Sequence, residues 1–397
     1  MTVTVRYASH DSFTTMNILY CTDTYPPQVN GVSVVTALSV AGLAARGCTV
    51  HVIAPKYPEA MHASIFGDAG AASLTQIPSA PMPGYADIRV ASPDARTISR
   101  TVRALRPDLV HCATEFVIGR LGQRAAMRSG IPVVTSYHTD FGKYTEAYGV
   151  PWMRGTVTAY LTRFHQRAQR TYTPGSPARE ELLARGIRDV EVWGRGVDTT
   201  TFHPAKRDAE LRSAVGADDR FLFLHVGRLA AEKGVQVILD AYAMAREQLP
   251  PDSTRLVIAG AGPERSALQA RAGTDVHFLG YLQRDTELPR LYATADAFVF
   301  ASTTETLGLV VLESMASGVP VLAAAEGGVR DHLRHDENGL AYPANDAAAL
   351  AAAMVRVATA PALRRQLADG ARRHAERLTW EMEYDRLLAS YREVIAR

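Results

Sequence analysis

Short apolar runs alternate along this chain with longer stretches whose apolar residues recur three or four apart. Asn17 to Cys21, Thr49 to Ala54, Asp108 to Cys112 and Pro132 to Tyr137 are brief, apolar and rich in β-favouring residues, which predicts buried strands. Val32 to Arg46, ended by Gly47, and Leu121 to Arg128 carry helical spacing between them. The alternation restarts after a polar stretch from Ala205 to Arg220. There Phe221 to Val226, Arg255 to Ala259, Val276 to Gly280, Asp296 to Ser302 and Val319 to Ala323 read as strands, and Val235 to Leu249 as a helix. Strands alternating with helices mean parallel βαβ units, an α/β class with two doubly wound, Rossmann-like domains. The boundaries expected are 1–190 (1–16 a flexible start), 191–378, and a final helix over 379–397.

The segment from Ala301 to Pro320 organises the second half. A strand ends at Ser302, and capping side chains Ser302-Thr303-Thr304 predict a helix from about Thr306 to Gly318. Glu305 would stand at its entrance and Glu313 two turns in, on one face. A helix mouth offers unpaired N–H groups to a phosphate, and a carboxylate accepts from both hydroxyls of a vicinal diol. An isolated pair of glutamates is more often ordinary helix surface, so other features have to support the site. Arg228 and Lys233, just past the strand ending at Val226, supply them as two cations suited to a diphosphate. In α/β sheets functional residues lie beyond the carboxyl ends of strands, a condition that Thr24 to Gly31, Glu115 and His138-Thr139-Asp140 also meet. Gly260-Ala261-Gly262-Pro263-Glu264-Arg265 lacks the third glycine of a dinucleotide fingerprint and sits on a later element of its domain, which argues against NAD.

Composition narrows the classes. At 397 residues, 47% hydrophobic and 21% charged, the chain has ordinary globular make-up with length for two domains. Three cysteines without paired or metal-type spacing suit a reducing cytoplasm. No apolar run reaches the ~18 residues a span needs, and no basic-then-apolar leader opens the chain. Residues 1–190 hold 19 Lys+Arg against 13 Asp+Glu, and the remainder 24 against 28. A basic front half points to an anionic surface, lipid or nucleic acid. The stretch Trp152 to Arg170, aromatic and arginine-bearing at helical spacing, fits membrane-surface contact, although a helix covering its sheet with a charged outer face has the same pattern.

Together GRLAAEKG, GAGP, HFLGYL, TTETLGLVVLESMASGVPVLA and GVDTTTFHP resemble retaining glycosyltransferases of the large family 4, which have the GT-B fold. The resemblance covers nearly the whole chain from Asn17. In TDTYPPQVNGVS, SYHTDF and VWGRGVD it is most similar to bacterial GDP-mannose-dependent α-mannosyltransferases acting on lipids, with sulfoquinovosyl-diacylglycerol synthases as relatives. It implies two domains facing a cleft and a C-terminal helix crossing back to the first. It implies that Arg228 and Lys233 neutralise the diphosphate, Glu313 holds the ribose diol and Glu305 contacts the transferred sugar. The segment Thr306, Leu307, Gly308 and Leu309 would cradle phosphate and sugar through backbone N–H groups, Tyr281 and Leu282 would read the base edge, and Gly31 would admit the diphosphate. His138 would bond the donor sugar near the reacting carbon. Glu115, Asp140 and Tyr144 are the candidates for the acceptor. Two positions depart from the family pattern, a single glycine at Gly31 where relatives have a pair, and Leu307 where relatives have an aromatic or proline.

The function expected is transfer of a hexose, mannose from GDP-mannose first, to a hydroxyl of a lipid-linked acceptor, with no cofactor or metal and no nucleic-acid partner. The location expected is the cytoplasm, peripheral on the inner membrane face. The alternatives are a UDP-sugar-dependent glucosyl or sulfoquinovosyl transferase acting on diacylglycerol or a soluble acceptor, a phosphorylase or epimerase on the same fold, and a non-catalytic sugar-nucleotide or lipid-binding module. A glycogen-type phosphorylase needs a pyridoxal lysine, and Lys56, Lys143, Lys206 and Lys233 leave no obvious spare.

Overall fold

The computed structural model describes residues 15–28, 30–58, 70–82, 85–138, 151–193, 196–303, 305 and 308–397. It divides into two compact units, one holding the chain up to Tyr172 with Arg185–Glu191 and Leu387–Arg397, the other Thr173–Ala184 with Val192–Arg386.

The first unit is built on strands β1 (Asn17–Cys21), β2 (Thr49–Pro55), β3 (Ser73–Ile77), β6 (Leu109–Cys112), β7 (Val133–Ser136), β8 (Arg170–Thr173) and β9 (Val190–Val192), with β4 (Ser79–Met82) and β5 (Tyr85–Ala91) forming a separate antiparallel hairpin. The sheet order is β3-β2-β1-β6-β7-β8-β9. Every residue of β6 and β7 is buried, as parallel strands covered on both faces require. β1 and β6 are parallel neighbours at which the strand order reverses, so the loops after Cys21 and Cys112 flank the switch point where such sheets bind ligands.

The second unit carries β10 (Phe221–Val226), β11 (Thr254–Ala259), β12 (Val276–Gly280), β13 (Ala297–Phe300), β14 (Val321–Ala324) and β15 (Gly339–Tyr342), ordered β12-β11-β10-β13-β14-β15 and parallel throughout. Alternate residues of β10 serve opposite faces. Leu222, Leu224 and Val226 join Phe298, Phe300, Val311 and Met315, while Phe223 joins Val235, Ile238, Leu256 and Val299. The switch point here lies between β10 and β13. The alanine-rich helix Ala347–Thr359 and its successor Pro361–Ala375 meet at a bend of 102°, with Leu350, Met354 and Val357 in the core. Among the described residues no single helix is long and apolar enough to cross a membrane.

Several elements depart from the patterning, each for a physical reason. The helix predicted from Leu121 starts at Val117, because Asp23, far away in sequence, caps it. Its carboxylate accepts from the N–H groups of Ile118 at 2.8 Å and Gly119 at 3.3 Å. The helix predicted from Thr306 is Leu309–Ala316, opened by Gly308 at φ 75°. Glu305 therefore precedes the helix, and the shared-face argument for Glu305 and Glu313 fails. Trp152 and Met153 belong to a 3₁₀ turn, Pro151–Met153, before the helix Arg154–His165. Thr173–Ala184, placed by chain order in the first domain, clusters with the second unit. There the Ser176 N–H donates to Asp331 at 2.6 Å and Arg330 pairs with Glu180 at 3.0 Å.

The last helix is Trp380–Ile395, and its second half belongs to the first unit. Tyr391 lies there between Tyr20, 2.7 Å away through the two hydroxyls, and the His111 ring, which it meets through a short hydrogen bond. Ser390 meets Tyr172 at 2.6 Å, and Arg170 reaches Ser390 at 2.8 Å and Glu393 at 3.0 Å.

Candidate active site

The site of the second unit grows from glycines that let loops touch at the carboxyl edge of the sheet. A Cβ on Gly260 would lie 1.8 Å from the Gly227 carbonyl oxygen, and one on Gly262 would lie 2.2 Å from that of Leu229. The Gly260-Ala261-Gly262 turn is thus shaped by packing against the Gly227–Leu229 loop, which supplies a structural reason for glycines that resemble half a dinucleotide fingerprint. Gly234, at φ +64°, brings the end of the cationic loop against Ala301, whose carbonyl oxygen lies 2.9 Å from where a Cβ would stand.

That approach carries Lys233 from the edge of β10 to the edge of β13. Its ammonium pairs with Glu305 through a short hydrogen bond, both side chains being largely covered. Glu305 is held from its other side too. Its carbonyl oxygen accepts the Gly328 N–H at 2.8 Å, and a Cβ on Gly327 would lie 2.4 Å from that oxygen. The Glu305 main chain is therefore held by Gly328 and its carboxylate by Lys233. Arg228 is different, since its guanidinium is mostly exposed and pairs with Glu232 at 2.9 Å.

Glu313 is buried at 3% exposure in the helix Leu309–Ala316. Burial pushes its pKa up, and the Arg284 guanidinium, 2.8 Å away, opposes the rise. Arg284 in turn is pulled down by burial, but Glu313 outweighs that and leaves it above its usual range. Its guanidinium also lies 5.4 Å from the centre of the Phe202 ring. Tyr281 is exposed after the Gly280 turn at φ 78°, whereas Leu282 packs against the core, so these neighbours differ in what they can offer a ligand. Gly308 caps the helix that Leu309 opens.

His225 sits on β10 beneath this edge, fully buried and stacked on Phe300. Its Nδ1 lies 3.1 Å from the Val299 carbonyl, which only accepts, so Nδ1 carries the proton. Nε2 has no hydrogen-bond partner. Burial holds the ring pKa down at about 4, with Lys233 adding to the fall and the Val299 bond and Glu305 opposing it.

In the first unit Gly31 is the exposed first residue of the helix Gly31–Ala44, whose entry is capped by Asn30 accepting from the Ser33 N–H at 2.9 Å. Glu115 is buried past the end of β6, its carboxylate 3.5 Å from His165 Nε2, and burial raises its pKa. His138 lies half-buried just past β7. Asp140, Tyr144, Thr306 and Leu307 lie outside the described residues.

The structure thus joins Lys233 to Glu305 and gives Arg228 and Glu313 separate partners. Sequence reasoning missed Arg284, His225 and the Gly327-Gly328 pair. The adjacent glycines after a buried strand were a legible sign of close backbone approach. Arg284, among many arginines in a polar turn, carried no signal of its own. Among the described residues no group of three or more His, Cys, Asp or Glu side chains is placed to hold a metal ion.

Comparison with known proteins fits this architecture. The family described as glycosyl transferases group 1 matches residues 207–374, and glycosyltransferase family 4 matches residues 29–201. A GDP-mannose-dependent alpha-mannosyltransferase of Mycolicibacterium smegmatis is 35% identical over 96% of this chain and 98% of its own length. Its counterpart from Corynebacterium glutamicum is 30% identical over 96% and 90%. The sulfoquinovosyl transferase of Arabidopsis thaliana is 32% identical over 66% of this chain and 51% of its own. Among solved structures, Anabaena HepE in complex with UDP superposes with a TM-score of 0.79 at 19% identity, covering 95% of this chain and 100% of that one. Two parallel-sheet α/β units, the last helix shared between them, and these matches to both halves place the chain in glycosyltransferase family 4, with the GT-B fold.

Proposed function

We propose that this glycosyltransferase moves a hexose, with mannose from GDP-mannose as the leading donor, to a hydroxyl of a lipid-linked acceptor. The anomeric configuration is retained and no metal takes part. The observation that carries the reading is the Lys233–Glu305 pair at the switch point between β10 and β13. With one oxygen committed to Lys233, Glu305 keeps the other for a hydroxyl of the transferred sugar. Lys233 and Arg228 supply positive charge where the diphosphate gathers negative charge on leaving. Glu313, braced by Arg284, takes the ribose diol, and the N–H groups at Leu307, Gly308 and Leu309 take phosphate and sugar. The backbone at Tyr281 and Leu282 reads the base. Gly31 and His138 serve the diphosphate and the sugar, and Glu115, Asp140 and Tyr144 the acceptor.

No carboxylate is assigned as a covalent nucleophile. The bond from the anomeric carbon to the diphosphate oxygen breaks, its electron pair staying on that oxygen. The acceptor oxygen bonds the same face of the carbon, and its proton passes to the departing phosphate oxygen. Both mannosyltransferase relatives named above are described as GDP-mannose-dependent, which favours guanine. A UDP-sugar is the second reading, favoured by structural neighbours that hold UDP and UDP-glucose. The reading places the chain in the cytoplasm, on the inner face of the membrane that holds its acceptor.

Thermal unfolding with GDP, UDP and ADP, then with their sugars, separates these readings. A ligand at 100 times its Kd adds about 2.7 kcal/mol. Stabilisation by GDP alone supports the leading donor, and by UDP alone the second. No stabilisation by any of the three sinks the nucleotide-sugar reading. Labelled hexose recovered in the organic phase of a lipid extract supports the acceptor class, and label found only in water-soluble product contradicts it.

A further inference from the structure

The first unit holds a second feature, on the helices beside the loop after β6, whose arginines the transferase reading does not use. The helix Arg154–His165 turns Leu161 and Phe164 into the core and presents Thr156, Tyr160 and Arg163 outward at helical spacing, with Arg167 one turn on. The helix Val117–Arg128 presents Arg120 and Arg124. Between the two helices lies an open pocket of about 500 Å³, lined by Arg120, Thr156, Tyr160, Arg163 and Arg167 together with small residues. That is within the range of small-ligand sites.

Its charge is lopsided. No carboxylate of the described residues is paired with Arg120, Arg163 or Arg167. Arg120 is anchored by neutral groups instead, donating to Gln123 at 3.2 Å and lying 5.9 Å from the centre of the Tyr160 ring. The Tyr160 hydroxyl is itself tied to the Glu115 carbonyl, so the wall of the pocket is fixed. The Arg120 pKa is lowered by burial first, then by the neighbouring charges of Arg167 and Arg124. Cations held together without acid are relieved by an anion, and guanidinium forks suit phosphate oxygens above others. Thr156 and Tyr160, beside the arginines, suit hydroxyls next to that phosphate.

We propose that this pocket binds a phosphate ester, with Arg120, Arg163 and Arg167 as its cationic partners, separately from the nucleotide-sugar site. The phosphate has two possible sources, a free sugar or glycerol phosphate and the headgroup of an anionic phospholipid. The proposal does not depend on which hexose is transferred or to what.

Titration of the full chain with sn-glycerol 3-phosphate and with inorganic phosphate tests the free source. Flotation with phosphatidylcholine vesicles, with and without phosphatidylglycerol, tests the headgroup. The variants are Arg163→Gln with Arg167→Gln, and, as a control of equal charge change on another helix, Arg96→Gln with Arg103→Gln. Saturable binding of a soluble phosphate, weakened about tenfold or more by the pocket pair and left in place by the control pair, supports the free source. Binding only to the anionic vesicles, released by the pocket pair and not by the control, supports the headgroup. Stabilisation by nucleoside diphosphate, unchanged across the variants, shows that they fold. Absence of binding to every probe overturns the proposal, and so does equal weakening by both pairs, which would reduce the effect to net charge.

Discussion

Arg284 donates a 2.8 Å hydrogen bond to the buried carboxylate of Glu313, joining the turn after β12 to the helix after β13. Burial alone drives a carboxyl toward its neutral form, in which it accepts from a diol less well. The guanidinium counters that drive, so the ribose-binding role proposed for Glu313 would depend on a residue that need not touch the donor.

Replacing Arg284 by Gln should therefore weaken donor binding through Glu313 and give it a new pH dependence. Without the cation the Glu313 pKa rises further, so its ionised form is lost at a higher pH as the solution is acidified. Donor Kd measured from pH 6 to 8.5 should rise toward acid in the variant more steeply than in the wild type, with partial recovery at the alkaline end. Parallel profiles would mean that Arg284 leaves the charge of Glu313 alone.

His138 should separate chemistry from nucleotide binding. If its contact is with the transferred sugar, His138→Ala should lower turnover by about 10²-fold or more, the range of a positioned polar group. Affinity for the free nucleoside diphosphate should hardly move. Loss of both together would remove His138 from the sugar.

The buried neutral ring of His225 gives a signed pH prediction for stability. Its folded pKa of about 4 lies below the unfolded value, so its contribution is fully present above about pH 6.5 and is lost as pH falls through the folded value. His225→Asn keeps a donor for the Val299 carbonyl and removes the titration. The variant should be the less stable at pH 7, and its deficit should shrink by about 1.4 kcal/mol per unit between pH 6.5 and pH 4, read from denaturant unfolding. A deficit constant over that window would show that the ring is not held neutral.

Much of this arrangement was legible because it follows from local patterning. The strands β1, β2, β6, β7 and β10 to β14, mostly buried except for the half-exposed β12, announced themselves as short apolar runs, and their alternation with helices required parallel order. The same logic placed Arg228, Lys233 and Glu305 at the carboxyl edge of a sheet before any contact was known. What remained hidden depends on distant partners. Asp23 caps a helix 95 residues away, so no signal beside Val117 marked its start. Gly308 opens the helix Leu309–Ala316 in a left-handed turn, whereas Ser302-Thr303-Thr304 offered a more obvious cap upstream. β3, β8, β9 and β15 are short or polar, and their place is set by neighbouring strands more than by their own sequence.

The central claim is that the donor is held in the second unit by Lys233, Glu305 and Glu313. Titration of wild type, Lys233→Ala and Glu313→Ala with GDP-mannose and UDP-glucose, beside far-UV circular dichroism to confirm folding, tests it most directly. Each substitution removes charge-assisted hydrogen bonds worth ~1.5–3 kcal/mol, so donor affinity should fall about tenfold or more while the spectrum is kept. Folded variants that bind donor as the wild type does, and turn it over at the same rate, would contradict the claim.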